Sequence, residues 1–100
     1  MHIRTAPHEL PEWGSDWSAY ARVGARFDAV GAFGSTDDAA ELARWSFDRW
    51  QRTGELPRTR DELLACLWFE QRRWRFLERD PGPETLRYCA GVVRALRPLV

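Results

Sequence analysis

The chain has 100 residues, enough for one domain, and its fifteen Arg balance fifteen Asp and Glu with no Lys. With 44% hydrophobic residues and six Trp it is too apolar and too aromatic for a disordered chain. No run approaches the ~18 apolar residues of a membrane span, MHIRTAPHEL lacks an export-signal core, and two Cys are too few for a secreted disulfide scaffold, so a compact cytoplasmic domain is expected.

Charge is unevenly spread. Residues 1–50 hold five Arg against eight acids, and residues 51–100 hold ten Arg against seven. An all-Arg cation set fits either a GC-rich coding bias or selection for guanidinium chemistry. The neutral total argues against a strongly nucleic-acid-binding domain. Six Trp can fill a core that would be thin in so small a chain, and Trp is also enriched at binding hot spots.

Residues 1–14 contain two Pro and a Gly without helical period and read as an irregular tail, pinned by Ile3, Leu10 and Trp13. Residues 15–100 read as one helical domain. A first helix is expected from about Asp16 to Val30, with Ser15 as N-cap and Trp17, Tyr20, Val23, Gly24 and Phe27 on its apolar face. Gly24 inside that stripe costs about 1 kcal/mol relative to Ala, so a close neighbour is expected to compensate. Gly31 suits the left-handed residue that ends a helix. A second helix is expected from Ser35 or Thr36 to Thr53, stopped by Gly54. It would bury Ala39, Leu42, Ala43, Trp45, Ser46, Phe47 and Trp50, with Glu41, Arg44, Asp48 and Arg52 as paired solvent-side charges.

Thr59 and Glu62 fit a capping box, which starts a third helix running to about Arg79. Asp80-Pro81-Gly82-Pro83 breaks it. Pro83 suits the first position of a fourth helix, whose face is Leu86, Cys89, Ala90, Val93 and Leu96, and Pro98 ends it. Short connections favour antiparallel neighbours. The expected fold is therefore all-α, a small up-and-down four-helix bundle, with an orthogonal bundle as the alternative.

The third helix carries the unusual features. At about 100° per residue, Leu63, Cys66, Leu67, Trp74 and Leu77 share one face, and Glu70 falls in its middle. A carboxylate there needs a partner, and Tyr20, Arg97 and the Trp74 indole are the candidates for a buried polar group. Phe69 and Phe76 point away from that face, beside a stripe of Trp68, Arg72, Arg75 and Arg79. The helix is apolar on two sides. Either other helices cover both, or the second side meets a partner.

Catalytic, cofactor and metal motifs are missing. Cys66 and Cys89 differ in height by roughly 10 Å in an antiparallel pair, beyond disulfide reach, and read as small buried hydrophobes. No CxxC, HExxH or phosphate loop occurs, both His lie in the tail, and a di-iron ExxH is lacking. The expectation is a non-enzymatic protein-interaction module: an adaptor, an inhibitor or immunity-type protein, or an assembly subunit. It would dock another protein or a second copy through Trp68, Phe69, Arg72, Arg75, Phe76 and Arg79. The alternatives are polyanion or nucleic-acid binding by the same Arg stripe, and a ligand pocket of Trp17, Trp45, Trp50 and Trp74 around Glu70.

Overall fold

The computed structural model describes residues 17–100. The expected tail, the Ser15 cap and both His lie outside the described residues. Among those described the fold is all-α, as expected. There are five helices rather than four: α1 (Trp17–Ala25), α2 (Ala29–Phe33), α3 (Thr36–Thr53), α4 (Arg60–Phe76) and α5 (Pro83–Leu96), then a 3-10 turn at Arg97–Leu99.

The extra helix arises from a break inside the expected first one. After α1 the Arg26 and Phe27 amides donate to carbonyls three residues back, which tightens the last turn. Asp28 then restarts the helix, its carboxylate accepting the Gly31 N–H at 3.0 Å. Gly31 therefore lies inside α2, and the left-handed residue is Gly34 (φ 86°) instead.

The other boundaries follow their expected signals. Ser35 Oγ accepts the Asp38 N–H at 3.1 Å, and Gly54 (φ 77°) closes α3 with its N–H on the Trp50 carbonyl. Thr59 Oγ1 accepts the Glu62 N–H at 3.3 Å and donates to Glu62 Oε1 at 2.8 Å, a variant of the capping box. Pro83 sits in the first turn of α5.

The third expected helix ends three residues early, at Phe76. Glu78 takes a left-handed φ of 54°. The Arg79 N–H reaches back to the Trp74 carbonyl and the Glu78 N–H to that of Arg75. These two bonds form a Schellman motif with glutamate where glycine is usual. Leu77, expected on the core face, caps the helix and is 40% exposed.

α4 is the central element and packs against α1, α3 and α5. One core cluster joins Tyr20 of α1, Leu63, Cys66 and Leu67 of α4, and Tyr88, Cys89, Val92, Val93 and Leu96 of α5. Phe47 and Trp50 of α3 wedge against Tyr88, with ring centroids 4.9 and 5.1 Å away. Cys89, Val93 and Leu96 are buried as expected, and the buried face of α5 also takes in Thr85, Tyr88 and Val92, leaving Leu86 and Ala90 half-buried.

A second cluster forms on the other side of α4. Trp68 packs with Ala29 and Ala39, and Phe27, Phe33, Ala40 and Phe69 pack around them. Phe27 meets Trp68 edge-on at 6.3 Å and Phe33 at 6.0 Å. α1 and α4 touch backbone to backbone between the clusters. A methyl on Gly24 would lie 2.6 Å from the Leu67 carbonyl oxygen, so only glycine allows this crossing.

Candidate functional site

The second apolar side of α4 is mostly covered by the chain itself. Trp68, expected on the interaction stripe, is 6% exposed under Phe27 and belongs to the core. Phe69 is half-buried against the same cluster. Phe76 is not covered and stands 85% exposed in the last turn of α4.

Arginines surround these rings. Arg72 lies over the Trp68 ring, its Cζ 5.2 Å from the centroid. Arg44 reaches across from α3 and lies over Phe69 at 5.6 Å. Arg44 was expected to pair with neighbouring acids along α3, yet among those charges only Arg52 and Asp48 form an ion pair among the described residues. Arg75 is exposed in the last turn, three residues from Arg72 and next to Phe76. Arg44, Arg72 and Arg75 have no ion-pair partner among the described residues. Positions 69, 72 and 76 recur at helical spacing, so Phe69, Arg72 and Phe76 form one outward face with Arg75 at its edge. Arg44 joined the face through tertiary packing; spacing within α3 gave no sign of it.

Arg79 departs from the expected stripe. The Schellman turn folds it onto the Trp74 ring at 5.5 Å, while Arg73 lies over the same ring at 5.2 Å. The Trp74 Nε1–H donates to Glu70 Oε1 at 3.0 Å, so Trp74 is the expected candidate that pairs with the buried carboxylate. Arg73 stands 3.9 Å from the same oxygen. Glu70 is 1% exposed, and burial raises its carboxyl above the ordinary range, with the indole bond and Arg73 opposing. Tyr20 is buried as expected, whereas Arg97 is exposed at the start of the 3-10 turn.

A polar seam continues from Glu70 into the first cluster. Ser46 Oγ and Tyr88 OH both face the Cys66 thiol, a weak partner, and neither makes a well-formed hydrogen bond among the described residues. Burial pushes the Cys66 thiol up to about 11 and raises Tyr88 and Cys89 as well. Both cysteines are free and buried, matching their expected role as small core residues. At neutral pH these groups are protonated, and the thiols lack the ionised form that reacts. No group of three or more His, Cys, Asp or Glu among the described residues is arranged to hold a metal ion.

The four tryptophans expected around Glu70 do not assemble into a pocket. Trp17 and Trp50 pack on the first cluster, and Trp74 is bonded to Glu70. Trp45 is 52% exposed on the outer side of α3, under Arg49 at 5.2 Å. It lines an open groove of about 450 Å³ with Arg49, Leu56, Pro57 and Arg58. Arg49 is already paired there with Glu55 at 2.7 Å. No helix among the described residues is long and apolar enough to cross a membrane. No protein family matches the chain, and neither a curated protein nor a solved structure matches it significantly.

Proposed function

We propose that this chain is a non-enzymatic, cytoplasmic protein-interaction module that docks another protein through the outward face of α4. The observation that carries the reading is the Phe76 ring, 85% exposed at the end of a stripe whose other aromatics are packed. Burying a phenylalanine side chain contributes about 1.5–3 kcal/mol. Trp68 and Phe69, about two turns earlier on the same helix, pack on the second cluster, and Arg72 and Arg75 supply a polar rim. The role suits an adaptor, an inhibitor or immunity-type protein, or a subunit of a larger assembly.

Phe76→Asp tests the reading. With its ring in solvent, the substitution is expected to change stability by under about 0.5 kcal/mol. The wild-type and variant chains, matched by circular dichroism and melting temperature, serve as baits in lysate of the native host. A stoichiometric partner held by the wild type and lost by the variant supports docking at Phe76. Equal retention by both chains removes α4 from the interface. Phe69→Asp does not give so clean a test, because Phe69 packs on the second cluster and its loss also weakens the fold.

A further inference from the structure

We infer that the segment docking on this face is acidic: a protein segment with carboxylates on either side of an apolar side chain. The inference rests on the docking reading above and adds the partner's chemistry. Arg44 lies over Phe69, Arg72 over Trp68, and Arg75 precedes Phe76 in the last turn of α4, and none of the three has an ion-pair partner among the described residues. Arg72 and Arg75 are both exposed, three residues apart on one helix, so a carboxylate approaching that face meets two unpaired positive charges.

Two of the guanidinium groups are also held in place. Arg44 lies over the Phe69 ring and Arg72 over the Trp68 ring. Cation–π attraction to a ring uses none of the guanidinium N–H donors, which remain available to an acceptor. The planar fork matches a carboxylate in two parallel hydrogen bonds, and less side-chain freedom is lost when it forms them. Phe76 then receives the apolar residue lying between the acids.

Ring availability favours a protein segment over a nucleic acid. Binding single strands needs several open aromatic faces for successive bases. Trp68 is buried beneath Phe27 and Arg72, and Trp74 carries both Arg73 and Arg79. Phe76 is the one widely exposed ring of this helix. The chain is neutral as a whole, so the long-range attraction of a polyanion is weak, whereas a carboxylate needs only the local cluster.

A random peptide library displayed on phage, selected on the full chain and counter-selected on the Phe76→Ser chain, which removes the ring without adding charge, tests the inference. Asp and Glu are expected to rise about threefold over the input among Phe76-dependent clones, flanking an aromatic or aliphatic residue. A synthetic peptide from that set should bind about tenfold more weakly to Arg72→Gln/Arg75→Gln, and more weakly again in high salt. Arg75→Gln alone, at a side chain that lies over no ring among the described residues, provides the same readout should the double variant lose helicity. Arg72→Lys keeps the charge but loses the fork, and an intermediate loss of binding is expected. Phe76-dependent clones that are neutral or basic overturn the acidic partner and leave the docking reading standing. A lack of Phe76-dependent clones overturns both. Tighter binding of a single-stranded oligothymidine than of any selected peptide overturns the inference in favour of a polyanion. Self-association in light scattering that Phe76→Asp abolishes overturns it in favour of a second copy.

Discussion

The two sides of α4 are closed to different degrees. Toward α5, Leu63, Cys66 and Leu67 are fully covered, and Tyr88 is wedged between Phe47 and Trp50. Toward the second cluster, Trp68 is covered, Phe69 half covered and Phe76 open. The covering side chains explain the contrast. The first side meets the buried residues Tyr88, Cys89, Val92, Val93 and Leu96 of α5, whereas the second is closed over Trp68 by Phe27, Ala29 and Ala39, with Arg44 over Phe69. A cover confined to that stretch leaves the end of the apolar stripe free. The first side forms a sealed core, and the second forms a core with an accessible edge.

Trp68→Ala strikes hardest at this contrast. If the second cluster is a true core, the loss should be about 3–5 kcal/mol in urea unfolding monitored by circular dichroism. A cost under about 1 kcal/mol would mean that α2 is only loosely laid on the surface. Glu70 probes the sealed side. Its carboxyl is raised in the folded chain, mainly by burial, so the unfolded chain ionises first as pH rises. Stability should therefore fall as pH climbs from the ordinary carboxylate range through the raised value, and level off above it. Glu70→Gln keeps an oxygen for the Trp74 N–H and removes the charge. The stability of the variant relative to wild type should grow with pH across that window, and a constant difference would show that the Glu70 carboxyl titrates alike in the folded and unfolded chains. Glu78→Gly gives the smallest change, in the opposite direction. Relieving the left-handed φ of 54° should stabilise the fold by about 1 kcal/mol, visible as a higher melting temperature. An unchanged or lower value would mean that the glutamate side chain compensates for its strained backbone.

Much of the helix layout was legible because capping is local chemistry. Ser35, Gly54, Thr59 and Pro83 act within a few residues of themselves, and each stands where its type indicated. The break at Asp28 was also local, but the steady apolar spacing from Trp17 to Phe27 masked it. Periodicity shows which residues share a face and not whether the backbone stays intact between them. Trp68 and Arg44 depended on tertiary packing. Spacing put Trp68 beside the arginines, and only the placement of Phe27 and Ala39 shows that it is enclosed. Arg79 was misplaced because the wheel assumed that α4 continued, whereas the left-handed Glu78 redirects the chain onto Trp74. The buried face of α5 was legible in its own sequence, where Tyr88, Val92 and Leu96 recur four apart beside the expected Cys89 and Val93, and only the contact of Tyr88 with Phe47 and Trp50 of α3 depended on tertiary packing.

The glycine at position 24 has a mechanical consequence. Side chains at most helix crossings form a deformable cushion that lets one rod slide a little on another. Here α1 rests directly on the peptide joining Leu67 to Trp68, so that cushion is missing. A load applied to α4 passes into α1 with little slack at this crossing.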